Sequence, residues 1–135
     1  DIEKLLSSMS ENIKLDLIAG LRINRKDTFI KIISSRIANS FRDIILKDGC
    51  KDTGCSLKLF KKDIFLNFIF FDGIHRFIPS LFVGHGYNVS YISVNHRIRK
   101  FGNSKYGTFK RLIKGLINLY FVYKQIRKNN IDDGK

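Results

Sequence analysis

The sequence predicts an α/β layered domain, because helical and strand patterns alternate along it in the order α-β-α-β-α-β-α. Apolar residues recur at helical spacing in the first ten residues, over Phe29–Leu46 and over Tyr106–Lys128, and compact or alternating apolar segments stand between them. A core is affordable in one domain of 135 residues, with 44% apolar residues, 12 phenylalanines, no tryptophan and one proline.

Asp1–Ser10 reads as a short amphipathic helix with Ile2, Leu5, Leu6 and Met9 on one face. Leu15–Ala19 is a compact apolar strand ending at Gly20, followed by a polar, basic turn over Arg22–Asp27. Asp27 or Thr28 can cap a helix over Phe29–Leu46, whose Ile32, Ile33, Ile37, Phe41, Ile44 and Ile45 fall near helical spacing. Lys47–Thr53 is a loop rich in Asp, Gly and Lys, and Ser56–Phe60 a strand with Leu57 and Leu59 on one face. Lys62–Asn67 is a short helix. Ile74–Val83 is another, with Pro79 tolerable in its first turn if the helix starts late. Asn88–Asn95 alternates as a strand does. Tyr106–Lys128 sets apolar residues from Phe109 to Val122 against cations, the pattern of a helix lying on a membrane surface or of an ordinary amphipathic surface helix. Three short strands leave exposed sheet edges, and such a sheet normally continues into more strands. Opening on Asp1 directly into a helix, the sequence reads as part of a larger unit.

Charge narrows the partners. Twenty-five Lys and Arg against 12 Asp and Glu give a net charge of +13. No acidic residue lies between Asp72 and Asp132, whereas eleven basic ones do. That half of the chain suits an anionic partner: nucleic acid, a phosphorylated substrate or an acidic membrane surface. Cys50 and Cys55 have no neighbouring Cys/His pair, so they read as reduced thiols rather than zinc ligands. There is no signal-peptide pattern, and no apolar run has the length of a membrane span.

The densest chemistry lies in VNHRIRKFGNSKYG, Val94–Gly107. Arg97 and Arg99, two apart on an extended segment, point to one face and can grip one anion. Gly102, Asn103 and Ser104 make a turn whose N–H groups and hydroxyl can face that anion, beside Lys105. A phosphate fits this constellation, and a solvated basic loop has the same composition.

Four segments in order carry a resemblance: GLRINRKDTFIKIISSRIAN (20–39), DTGCSLKLFKKD (52–63), GIHRFIPSLFVGHGYNV (73–89) and VNHRIRKFGNSKYG (94–107). Together they resemble the second half of a family 2 glycosyltransferase of the dolichyl- or polyprenyl-phosphate sugar transferase, mannosyltransferase-like group. The resemblance implies part of a GT-A fold: a small mixed sheet flanked by helices, with a long C-terminal amphipathic helix. It implies that residues 1–135 are a single, acceptor-side domain, beginning just after a DXD-type motif. The nucleotide-binding half, with most ligands of the expected Mg or Mn ion, would lie outside this sequence.

The activity implied is transfer of a sugar from a nucleotide sugar to a polyprenyl or dolichyl phosphate, at the cytoplasmic face of a membrane to which the chain is peripheral. This portion alone is expected to be inactive. By motif match, Arg22, Arg36, Arg97 and Arg99, with Ser104 and Lys105 beside them, are candidate contacts of the acceptor phosphate. Arginine suits that role because its planar fork grips phosphate bidentately and stays charged. Arg36 also admits the reading of a mid-helix surface charge. Asp52 is the candidate catalytic carboxylate, placed to orient an arginine, meet the sugar or assist proton transfer, unless it only caps its loop. His75 and Arg76 belong near the sugar or acceptor, although a histidine at a helix start also suits a structural part. His96 is a weak metal candidate, and His85 reads as surface.

Two other readings fit parts of the sequence. A basic nucleic-acid-binding module suits the charge and the aromatic content. However, the phenylalanines cluster in core-like runs such as Phe65–Phe71, and no zinc-finger or RNA-recognition signature occurs, so nucleic acid is not the expected partner. A split or degenerate product, inactive alone and folding only with a partner, is the other.

Overall fold

A computed structural model describes residues 1–23, 29–95 and 108–132. Five helices and three strands follow in the expected alternation: α1 (Ile2–Glu11), β1 (Leu17–Ile23), α2 (Phe29–Leu46), β2 (Lys58–Phe60), α3 (Lys62–Leu66), α4 (Ile78–Gly84), β3 (Val89–Asn95) and α5 (Thr108–Asp132). The sheet is mixed, with order β2-β1-β3. β1 pairs antiparallel with β2, Leu17 opposite Phe60, and parallel with β3, from Leu17 opposite Val89 to Ile23 opposite Asn95.

Alternation along β1 divides the core in two. Leu17 and Ala19 join the larger cluster with Phe68, Phe77, Leu81 and Phe82, closed by Leu119 and Val122 of α5. Ile18 joins Leu5, Cys55 and Val94 on the α1 side, where Leu57 and Leu59 also pack. Asp16 ties the near end of the sheet together: its carboxylate takes the Lys61 ammonium at 2.8 Å and the Asn88 backbone N–H at 2.9 Å.

Several expectations change. β1 runs through Gly20 to Ile23, so Arg22 stands on a strand and not in a turn. Gly20 marks a close approach: a Cβ there would meet Val94 Cγ2 at 2.9 Å and Cys55 Sγ at 3.0 Å. The helix expected over Ile74–Val83 divides into a 3-10 turn, Ile74–Arg76, and α4, which starts late with Pro79 in its first turn, where no N–H is needed. On α1, Leu5 is buried and Met9 packs against the core, but Ile2 and Leu6 face outward. His85 is half-buried, its Nδ1 2.8 Å from the Leu81 carbonyl oxygen and its ring beside Phe68.

The largest departure is α2. Its stripe of Ile33, Ile37, Phe41 and Ile44 is exposed, with Ile37 at 66% and Ile44 at 74%. The face turned inward carries Asn39, Arg42 and Leu46, related by three and seven positions and therefore on one side of a helix. Arg42 is 5% exposed and reaches Asp48 at 3.0 Å and the Cys50 carbonyl. Asp48, fully enclosed, also accepts from the Ser80 hydroxyl and the Cys50 N–H. Nε and Nη1 of Arg42 are buried without a hydrogen-bond partner. Cys50 and Cys55 are buried free thiols.

Candidate functional site

The strand directions bring the chemistry to one end of the sheet. β1 and β3 are parallel, and Arg22 lies opposite Val94 near their C-terminal ends. β2 is antiparallel, so the 48–57 loop that feeds it arrives at that same end. In open α/β sheets, the C-terminal ends of parallel strands are where ligands are usually held.

Arg22 and Asp52 meet there as a bidentate pair. Arg22 Nε donates to Asp52 Oδ2 at 2.7 Å and Nη2 to Oδ1 at 2.7 Å, and the Arg22 backbone N–H also donates to Oδ2 at 3.2 Å. Two parallel charge-assisted bonds fix the guanidinium plane as a single bond cannot. Asp52 is buried, whereas the Arg22 side chain remains partly open. Gly54 makes room for it: a Cβ at that position would stand 2.7 Å from Arg22 Nη2. The loop closes on itself through the Cys55 N–H, which donates to the Asp52 carbonyl at 3.2 Å.

Lys58, on β2, adds a half-buried cation whose ammonium donates to the Cys55 carbonyl. Burial lowers its pKa from the ordinary lysine value; Cys55, Cys50 and Asp52 act in the opposite direction, and the nearby Arg22 charge adds to the lowering. Burial likewise lowers the His75 pKa, reinforced by Arg76 and Lys58 and opposed by Asp72. Lys58 thus stands within electrostatic reach of Arg22 and Asp52 and also of His75. Lys114 pairs with Asp72, and the Asn118 amide donates to the Asp72 carbonyl at 2.9 Å, which seats α5 beside the His75 turn.

Of the residues singled out in the sequence, the structure brings Arg22 and Asp52 into contact and places His75 and Arg76 on the 3-10 turn, where Lys58 acts on His75. Arg36 is exposed on α2, at the rim of a cleft of about 400 Å³ lined also by Asn39, Ser40, Asp43, Cys50 and Lys51. His96, Arg97, Arg99, Ser104 and Lys105 lie outside the described residues. Their segment follows directly on Asn95, which is paired with Ile23 next to Arg22.

Comparison with known proteins gives this arrangement a context. The chain is 34% identical over 133 residues to dodecaprenyl-phosphate galacturonate synthase of Rhizobium johnstonii, covering 94% of this chain and 39% of that one. It is 29% identical over 106 residues to undecaprenyl-phosphate 4-deoxy-4-formamido-L-arabinose transferase of Yersinia pestis, covering 78% of this chain and 31% of that one. The chain is a homologue of the polyprenyl-phosphate sugar transferases of glycosyltransferase family 2. It spans 39% and 31% of the length of these relatives. No family model matches the chain, and no solved structure matches it. The mixed sheet flanked by helices agrees with the part of a GT-A fold that this kinship implies.

A divalent metal, which family 2 kinship suggests, does not fit the described residues of this homologue. Among them no three His, Cys, Asp or Glu side chains converge. Asp16, Asp48 and Asp52 are each engaged by a cation: Lys61, Arg42 and Arg22. Among the described residues, no helix is long and apolar enough to cross a membrane.

Sequence reasoning left out Lys58, Asn39, Arg42 and Asp48. Lys58 was legible in principle, since placing Leu57 and Leu59 on one face of β2 sends Lys58 to the other. The inward turn of Asn39 and Arg42 had no such signal, because the isoleucine stripe predicted the opposite face.

Proposed function

We propose that this chain is the acceptor-side domain of a family 2 glycosyltransferase that moves a sugar from a nucleotide sugar to a polyprenyl phosphate at an anionic membrane surface. The observation that carries the reading is the Arg22–Asp52 pair, standing beside the start of the basic 96–107 segment in a homologue of polyprenyl-phosphate sugar transferases. Arg22 has its plane fixed and its side chain partly open, which suits an arginine waiting for a phosphate. Arg36, Arg97, Arg99, Ser104 and Lys105 complete the acceptor contacts in this reading, with Lys58 and Arg76 contributing positive potential. The nucleophile is a phosphate oxygen already anionic near neutral pH, so it needs positioning and charge neutralisation more than a strong base. Asp52 meets that need by orienting Arg22. In this reading the metal and nucleotide-sugar contacts belong to portions of the relatives that this chain does not span.

The exposed Ile113, Leu116, Ile117 and Tyr120 of α5, with Lys124, Arg127 and Lys128 further along, support seating on the membrane, peripheral to its cytoplasmic face. The test is binding of undecaprenyl phosphate in nanodiscs. Arg22→Ala is expected to weaken binding about tenfold or more, the scale of a lost charge-assisted contact. Gly54→Ala, which pushes the guanidinium off Asp52, is expected to act in the same direction. Wild-type affinity in both variants would overturn the acceptor assignment.

A further inference from the structure

Asp52 is flanked by two contacts that both lead to one side chain. The Asn39 amide nitrogen donates to the Lys51 carbonyl at 2.9 Å, and its amide oxygen accepts from the Thr53 hydroxyl at 3.0 Å. Asn39 therefore holds the residue before Asp52 and the residue after it. Three positions along the same inward face, Arg42 holds the Cys50 carbonyl and Asp48. These four contacts fasten α2 to the 48–53 loop, and the only carboxylate between the two arms of Asn39 is the one that fixes Arg22.

We propose that Asn39 is a positioning residue: by clamping Lys51 and Thr53 it sets the Asp52 carboxylate, and through it the plane of the Arg22 guanidinium. This rests on the acceptor reading for its purpose but not for its geometry. An asparagine suits the position because one amide supplies a donor to a carbonyl and an acceptor to a hydroxyl. Neither leucine nor aspartate does both. Asp48 and Gly49 are fixed by other bonds, the Tyr91 hydroxyl to the Asp48 carbonyl and the Gly49 N–H to Asp43 Oδ1, each at 2.7 Å, and the backbone turns sharply just before the clamped segment, with a positive φ of 49° at Lys47 and of 63° at Gly49.

The experiment follows the Arg22 Nε–H signal by NMR in the labelled chain, alongside affinity for farnesyl phosphate in neutral detergent micelles. Asn39→Ala is expected to move the Nε–H signal toward that of free arginine and to weaken farnesyl phosphate severalfold, up to about tenfold, the scale of losing two side-chain hydrogen bonds. Thr53→Val is expected to show a smaller change of both, and Thr53→Ser to keep wild-type values, since it retains the hydroxyl. If Asn39→Ala unfolds the chain, the Thr53→Val and Thr53→Ser pair carries the same comparison. An Nε–H signal unmoved by both Asn39→Ala and Thr53→Val would overturn the clamp. A signal that moves while Arg22→Ala binds farnesyl phosphate as wild type does would leave the clamp standing and overturn the acceptor reading instead.

Discussion

Helices α4 and α2 reach the same core by opposite means. α4 is seated by burial: Ile78, Leu81 and Phe82 are enclosed, and Phe82 packs against Phe60, Phe68 and Tyr87. α2 turns Asn39 and Arg42 inward and leaves Ile33, Ile37, Phe41 and Ile44 outside. Apolar contacts tolerate small shifts of a helix, whereas hydrogen bonds to a loop carbonyl and a buried carboxylate do not. The helix that adjoins the candidate site is therefore held by the directional kind of contact, and its apolar stripe is left for another surface.

The contrast breaks most visibly at its two anchors. Phe82→Ala is expected to cost about 3–5 kcal/mol in chemical denaturation, the range for emptying a fully packed aromatic site. Asp48→Ala, which strands the Arg42 charge in the interior, is expected to cost about 3–5 kcal/mol as well. The two then part: the double change Arg42→Met with Asp48→Leu should recover most of the second loss, because the stranded charge is gone. No partner change at Ser80 or Tyr87 should do the same for Phe82→Ala.

A polar anchor also titrates, as an apolar one does not. Burial pushes the Asp16 carboxyl upward, but the Lys61 hydrogen bond, the Asn88 N–H and the Lys61 charge together hold its pKa below the ordinary 3.8. A depressed carboxylate contributes stability that is fully present above the unfolded value and is lost as pH falls through the folded one. The stability gap between wild type and Asp16→Asn should therefore be level from pH 6 down to about 4 and narrow below it. A gap that widened on acidification would reverse the assignment.

The smallest stability effect belongs to the outward stripe of α2. Phe41→Ser and Ile44→Ser are each expected to change stability by less than about 0.5 kcal/mol. Both should nevertheless reduce sedimentation with anionic lipid vesicles if that stripe adds to the seat offered by α5. Unchanged sedimentation would confine membrane contact to α5.

Much of this was readable in the residues. The alternation of elements, the limits of α2 at Phe29 and Leu46 and the tolerance of Pro79 in the first turn of a late-starting α4 follow from spacing and from proline chemistry. The meeting of Asp52 with an arginine was legible as one option among four for Asp52, and the sequence did not say which arginine it would meet. Two features misled. Gly20 looked like a strand terminator, yet it sits in mid-strand because Val94 and Cys55 crowd it. Ile33, Ile37, Phe41 and Ile44 of α2 looked like a core face along with Ile45, which does pack inward, because periodicity reports that a stripe exists and not which surface it meets.

The parallel pairing of β1 with β3 has a consequence in time. The bonds that join Asp16 to Asn88 span 72 positions of sequence. At roughly 5–20 residues per second of synthesis, β1 waits on the order of 4–14 s for its parallel neighbour to be made. Until then its Leu17, Ile18 and Ala19 have only the short β2 to pair with. Closing so long a loop places folding of this chain toward the slow end for a domain of its size. During that interval the newborn strand is a target for chaperones, and in a crowded expression host it is the segment from which aggregation would start.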